Sequence, residues 1–436
     1  MSDIKRKLRQ LRGTDEKSES SGSSQIQSKL NRIYQRADND SDSQAKFFPE
    51  ESVLRAHKRL DELIPGEYIN TPAGDIYRAR TTYPSDHIHG NCSLNDLFDV
   101  QVDWLLQLGK VETTSLPELS HSLFFDTEAS GLSGGTGTYA FLIGMGYFSQ
   151  DQFVVDQLFV DSYAKEEGML DLLRDYLETA SLLVSFNGKS FDVNLMNTRY
   201  AMHGQLSPFE DLLHLDLLHP SRNLWNLTLD NCKLQTLERD ILEFHREDDT
   251  PGEEVPGIYF DFIRTGDPEE IAGVFEHNVH DIVSLVTVTT VLEQNFHEER
   301  SVPTENGLTM FSRAKIYERN NQIRQAITCY EKALENEISR HRRFTILSRL
   351  AMLHKRQKEW PDAVNLWKKQ IQVMPGFAME PFEELAKYYE HQLKDLAKAL
   401  HYTQRAITKL PDHRIDELNA LEHRRKRVQK KLEQTH

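Results

Sequence analysis

The chain has 436 residues, 38% of them hydrophobic and 28% charged, with a net charge of −16. That is room for two or three domains, in the composition of a water-soluble globular protein. No apolar run approaches the roughly 20 residues of a membrane span, and the basic stretch Met1–Gly13 lacks the apolar core of a signal peptide.

Cys92, Cys232 and Cys329 lie far apart with no paired spacing, which excludes a zinc motif and a disulfide framework. A reducing cytoplasm is the expected compartment. Charge is unevenly divided. Residues 311–436 hold 26 Lys+Arg against 16 Asp+Glu, so a basic C-terminal third is joined to an acidic remainder. This asymmetry permits nucleic-acid contact through one part of the chain, and it equally suits a solvated face on helical repeats.

Residues 1–46 are polar and Ser-rich and are expected to be disordered, with a short basic helix at the start. Residues 47–110 form an extension expected to pack on the domain that follows. It carries turn signals at Pro72-Ala73-Gly74 and Pro84-Ser85-Asp86 and a helical stretch from Leu94 to Leu108.

Within 111–297 the text changes to short strands. Leu123–Thr127, Tyr139–Phe148 and Phe153–Phe159 read as an antiparallel meander, with a Gly/Ser/Thr loop over 131–137. Gly168–Thr179 has helical spacing (Met169, Leu172, Leu173, Tyr176, Leu177), Leu182–Phe186 is a short buried strand, Phe191–His203 a helix and Leu212–Leu218 another strand. Three strands followed by alternating helix and strand predict an α/β domain: a mixed sheet flanked by helices.

From residue 305 to 436 the period is helical throughout. Ala326, Ala363 and Ala399 recur 37 and 36 residues apart, with Tyr317, Tyr330, Trp367 and Tyr389 at matching positions. Small residues at such spacings let two helices approach while an aromatic fills the gap. The pattern resembles tetratricopeptide repeats, closed by a basic helix, His423 to Leu432, that reads as a cap.

Three short elements carry chemistry. Asp126 and Glu128 end the apolar run His121–Phe125, and residues two apart on a strand share a face. Two acids there repel unless a cation lies between them, and Mg²⁺ suits hard oxygen ligands. Asp192 follows the turn Asn187-Gly188 and starts a helix. Alone it is an ordinary helix-start acid, and Asn187 an ordinary turn residue. His277 and Asp281 are four apart and share a helical face, alone no more than polar positions of an amphipathic helix.

Taken in order, these elements resemble the DEDD (DnaQ-like) 3′–5′ exonucleases of the ribonuclease H-like superfamily. Asp126-Thr127-Glu128, Asn187…Phe191-Asp192 and His277-x-x-x-Asp281 stand where that family's three motifs stand. A closer similarity, over about residues 50–295, is to the bacterial YprB-like ribonuclease H-like domain family. It is carried by Leu215-Asp216-Leu217-Leu218-His219-Pro220, Leu234-Gln235-Thr236-Leu237-Glu238, Pro251–Tyr259 and His277-Asn278-x-x-Asp281-Ile282. Members of that family often carry C-terminal tetratricopeptide repeats.

The resemblance implies a metal-dependent nuclease acting on single-stranded DNA or RNA. Two Mg²⁺ or Mn²⁺ ions would be held by Asp126, Glu128, Asp192 and Asp281, with His277 orienting the attacking water. Ala129, Ser130, Gly131 and Asn187 would line the terminal nucleotide. One departure stands out. The spacing at the third motif is that of the tyrosine subclass, yet His277 holds the Tyr position, while the histidine subclass has its His where this chain has Glu276. The alternative is a non-catalytic nucleic-acid-binding adaptor that recruits a protein partner through its repeats.

Overall fold

The computed structural model describes residues 59–131, 137–247, 249–296, 306–374, 376–411 and 413–434. The Ser-rich N-terminus, most of the Gly/Ser/Thr loop (132–136) and Pro375 fall outside them. One sheet organises the α/β part. Its strands are β1 (Gly66–Thr71), β2 (Gly74–Pro84), β3 (Ser122–Ala129), β4 (Ala140–Ser149), β5 (Gln152–Phe159), β6 (Leu182–Ser185) and β7 (His214–Asp216). Their order is β1-β2-β5-β4-β3-β6-β7. The first five pair antiparallel, whereas β3–β6 and β6–β7 are parallel.

The predicted meander is present at nearly the predicted bounds. The extension differs: the turn at Pro72-Ala73-Gly74 joins two strands that enter the sheet, with Gly74 at φ +121°. The predicted helix from Leu94 to Leu108 is broken. A 3-10 turn over Leu94–Asp99 precedes α1 (Val102–Gly109), because Val100 and Gln101 are extended between them.

Both faces of the sheet are covered, and the strand period sorts residues between two cores. Leu123 and Phe125 face the core formed with α2 (Glu166–Thr179), α3 (Asp192–Met202) and α5 (Val255–Thr265). Phe124 faces the other core, with α1, α4 (Leu218–Trp225) and the second half of α6 (Glu269–Gln294). Helix α6 is buried over most of its length. A helix without a solvated face that still carries His277, Asn278, Ser284 and Glu293 must satisfy those groups internally. No helix among the described residues is long and apolar enough to cross a membrane.

The C-terminal part is helical throughout: α7 (Gly307–Arg319), α8 (Ile323–Glu335), α9 (Arg340–Arg356), α10 (Trp360–Val373), α11 (Glu380–His391), α12 (Leu396–Lys409) and α13 (Ile415–Glu433). Consecutive helices pack as hairpins, α7 on α8, α9 on α10 and α11 on α12. Side chains of Asn306, Ser339 and Asp395 cap α7, α9 and α12. Ala326, Ala363 and Ala399 are fully buried, as are Tyr330 and Trp367. Trp104 of α1 stacks on Tyr317 of α7 with ring centroids 5.7 Å apart and meets Phe296 edge-on, so an aromatic cluster joins the sheet layer to the helices.

The basic helix α13 is partly neutralised from within. Arg424, Arg427 and Lys431 all reach the carboxylate of Glu390 on α11, whose side chain is buried. These three cations therefore dock the helix rather than forming a free basic face.

Candidate metal centre

Strand β3 delivers Asp126 and Glu128 on the face turned to α6, opposite Gly144 and Leu142 of β4. Helix α6 crosses that face. Its Asn278 is fully buried and donates from Nδ2 to Asp126 Oδ2 at 2.9 Å. The amide cannot turn over, because its Oδ1 accepts from Gln157 Nε2 at 2.9 Å and Gln157 also donates to the carbonyl of Phe275. Gly144 makes this possible: a Cβ there would lie 2.1 Å from Asn278 Oδ1.

Asp192 arrives from the other side of the sheet at the first turn of α3 and accepts a hydrogen bond from the Thr127 hydroxyl. The loop before it is set by Asp216 at the end of β7. The Asp216 carboxylate accepts from the backbone N–H groups of Asn187, Lys189 and Leu218. Asn187 has φ +66°, the left-handed turn conformation that Asn tolerates.

One helical turn apart on α6, His277 and Asp281 point together. His277 Nε2 lies 3.9 Å from Glu128 Oε1 and 3.7 Å from Asp281 Oδ2, and its Nδ1 is 2.7 Å from Asp249 Oδ1. His280 points away and packs against Phe244. The sequence-derived candidates thus converge: Asp126, Glu128, Asp192, Asp281 and His277 line one site. Ser130 is engaged with Tyr139, its N–H donating to the Tyr139 carbonyl and its Oγ accepting from the Tyr139 N–H, beside Ala129 and Gly131 at the end of β3.

The model of the RNase H superfamily matches residues 123–293, a span from β3 to α6 that contains all four carboxylates. A curated relative, the uncharacterized protein YprB of Bacillus subtilis (strain 168), is 32% identical over 333 residues, 75% of this chain and 79% of YprB. The chain belongs to the ribonuclease H-like family that includes YprB. Among solved structures, the family B DNA polymerase of the archaeon Pyrobaculum calidifontis aligns at TM-score 0.32 and 10% identity. It covers 61% of this chain and 49% of that one, and carries no further weight.

In this member of the family, electrostatics mark the site as short of positive charge. Burial pushes the Asp126 carboxyl well above the usual carboxylate range, and Asp281, Asp192 and Glu128 push it further. Glu128 is pushed up to about 8 and Asp192 to about 6, both chiefly by burial. Burial works against protonation of His277, but Asp281, Glu128 and the bond to Asp249 outweigh it and raise its pKa. An all-oxygen donor set in which Asp126, Glu128 and Asp192 resist ionising fits a hard divalent cation, Mg²⁺ or Mn²⁺, as counter-charge.

Among the described residues, the one group of three whose ligand atoms all lie within 4.8 Å of one another is His354, Glu359 and Asp362; the four carboxylates are not drawn that close together. We prefer the carboxylate site. The trio includes two exposed acids, and the hydrogen bond from His354 to Glu359 already explains it as a tie between α9 and α10.

Residues to which sequence reasoning gave no role complete this site: Asn278, Asp216, Thr127 and Glu238, which stand in the motifs that carry the resemblance, and Gln157, Arg246 and Asp249, which do not. Asn278 carried a usable signal by standing within the third motif, next to His277. The Gly144 contact gives a direct prediction. Gly144→Ala should cost about 1–3 kcal/mol by overpacking and lower activity by displacing Asn278 from Asp126. Denaturant unfolding of the single and of Gly144→Ala/Asn278→Ala checks it. The double variant should regain stability but not activity.

Behind Asp281 a buried relay runs outward. Ser284 Oγ donates to Glu238 Oε1, and His89 Nε2 meets Ser284 Oγ at 2.8 Å. Burial, with His280 and His87 adding, holds His89 down at about 3, from an ordinary value of 6.5. Because the folded pKa is depressed, this stability is complete above pH 6.5 and is lost as pH falls toward 3. Between pH 7 and 5 the loss should be about 2 kcal/mol. The difference between wild type and His89→Gln, followed by urea unfolding across that range, isolates this contribution from the carboxylates.

Proposed function

We propose that this chain is a metal-dependent nuclease, a DEDD-type 3′–5′ exonuclease that hydrolyses phosphodiester bonds in single-stranded DNA or RNA. The observation that carries this reading is the convergence of Asp126, Glu128, Asp192 and Asp281 at one buried site where three of them resist ionisation. These four would hold two Mg²⁺ or Mn²⁺ ions. Bound there, the cations supply the charge that stabilises phosphoryl oxygens and a leaving 3′ oxygen.

The chain's own residues do the positioning. Asn278 fixes the rotation of Asp126, and Thr127 that of Asp192. Asp249 fixes the ring of His277, whose Nε2 is turned toward Glu128 and Asp281, where it can orient an attacking water. Ala129, Ser130, Gly131 and Asn187 border the same end of the sheet and would line the terminal nucleotide. We read the C-terminal helices as tetratricopeptide-type repeats that offer a surface to a protein partner.

The test uses end-labelled single-stranded DNA and RNA with Mg²⁺ or Mn²⁺. The expected result is stepwise shortening from the 3′ end, abolished by chelation and by Asp126→Ala. Internal cuts would replace the exonuclease reading with an endonuclease one. If wild type is as inert as the variant and binds no metal, the adaptor reading takes its place.

A further inference from the structure

The carboxylate cluster contains a cation of its own. The Arg246 side chain is only 5% exposed, and Nε and Nη2 form a two-pronged pair with Glu238 at 2.8 and 2.6 Å. Nη2 also reaches Asp281 Oδ1, and Nη1 lies 3.1 Å from His277 Nδ1 and 3.3 Å from Asp249 Oδ1. Glu238 is in turn held by Ser284. This guanidinium is thus anchored from behind by a buried acid. It cannot shed its proton, so it can leave Asp281 only by moving.

The counter-charge is unequally shared. Asp281 is in direct contact with the Arg246 cation, which it shares with Glu238, and Glu128 faces His277, whereas Asp126 receives the neutral amide of Asn278 and Asp192 the hydroxyl of Thr127. The Glu238 pair already matches the guanidinium charge, though it uses only two of its five N–H donors. The further reach to Asp281 places a permanent positive charge against that carboxylate and against neither Asp126 nor Asp192.

We propose that Arg246 is a resident counter-ion that reserves Asp281 and ranks the metal positions. Asp126, Glu128 and Asp192 take the first divalent cation, and a cation that needs Asp281 must break the Arg246 contact. Substrate phosphate, by drawing the guanidinium or adding negative charge, would favour that exchange. The inference rests on the reading of this site as a metal centre.

The experiment titrates the full-length chain with Mn²⁺ alone, by calorimetry and by the electron paramagnetic resonance of free Mn²⁺. Wild type should bind one ion tightly and a second about tenfold or more weakly. In Arg246→Met/Glu238→Gln, which removes the buried Glu238 charge together with the cation and frees Asp281, the second ion should tighten about tenfold while the first changes little. Arg246→Gln should do the same, so either folded variant decides the matter, and Arg246→Lys, which keeps the charge, should retain the weak second site.

Equal affinities in wild type, or variants that leave the second site unchanged or weaken both sites alike, would overturn the role of Arg246 while leaving the metal centre intact. If wild type binds no Mn²⁺ and Asp126→Asn changes nothing, the metal centre itself is wrong and this inference falls with it.

Discussion

Asp126→Asn should abolish nuclease activity, by at least about a thousandfold, and at the same time make the metal-free protein more stable at neutral pH. The two effects share one cause. Asp126 is buried, and Asp281, Asp192 and Glu128 raise its pKa beyond what burial alone does. A carboxyl with a raised folded pKa contributes stability that is complete below about pH 4 and is lost as pH rises through the folded value. At pH 7 the buried cluster therefore costs stability, whether its carboxyls ionise or hold their protons, and a divalent cation relieves that cost. Asparagine keeps an oxygen for the Asn278 amide but carries no charge. We expect a gain of about 1–3 kcal/mol in chelator and a smaller stabilisation by Mg²⁺ than in wild type. A thousandfold loss corresponds to about 4 kcal/mol of transition-state stabilisation, within what a metal ion supplies. Thermal unfolding with and without Mg²⁺ separates this from simple damage: a variant less stable than wild type in chelator contradicts the electrostatic account.

Arg199→Leu should be the most damaging single change away from the site. Arg199 of α3 pairs with Glu166 of α2 through Nε and Nη2 at 2.7 and 2.6 Å, and both side chains are 1% exposed. His203 adds a contact to the same carboxylate at 2.8 Å, and Arg199 Nη1 reaches the carbonyl of Thr138. The pair ties the helix that begins at Asp192 to its neighbour. Removing the guanidinium strands a buried carboxylate, which typically costs about 3–5 kcal/mol. Glu166→Leu/Arg199→Leu should recover most of that, since an apolar pair of similar volume leaves no charge unmatched. Urea unfolding of the two variants decides it. A loss under about 1 kcal/mol for the single change would show that the pair does not hold α2 to α3.

Much of the site was legible because its groups are placed by local periodicity. Asp126 and Glu128 share a face because strand side chains alternate. His277 and Asp281 share one because a helix turns every 3.6 residues. Asp192, alone an ordinary helix-start acid, was singled out only by the order of the three motifs. The strands Tyr139–Phe148 and Phe153–Phe159 were legible for the same reason, as apolar runs bounded by turn residues. Strands β1 and β2 were not. Gly66–Thr71 is largely exposed and carries little apolar pattern, and it becomes a strand by pairing with β2, whose own pairing with β5 spans some 75 residues of chain.

The sequence by itself determined the kinds of chemistry available: an acid pair on a strand, an acid at a helix start, a His and an acid on one helical turn, and a helical region with small residues at a repeating interval. What only the tertiary structure decided is which groups meet across long stretches of chain. Asn278 reaches Asp126 over 152 positions, His89 reaches Ser284 over 195, and Arg246 reaches Asp281 from an irregular loop. No periodicity encodes such contacts. They exist because α6 is buried against the sheet, where each polar group must find a partner or be expelled. The same burial that makes the acids resist ionisation fixes the partners that position them. That is why the carboxylates could be named from sequence, while the charge balance among them could be read only from the fold.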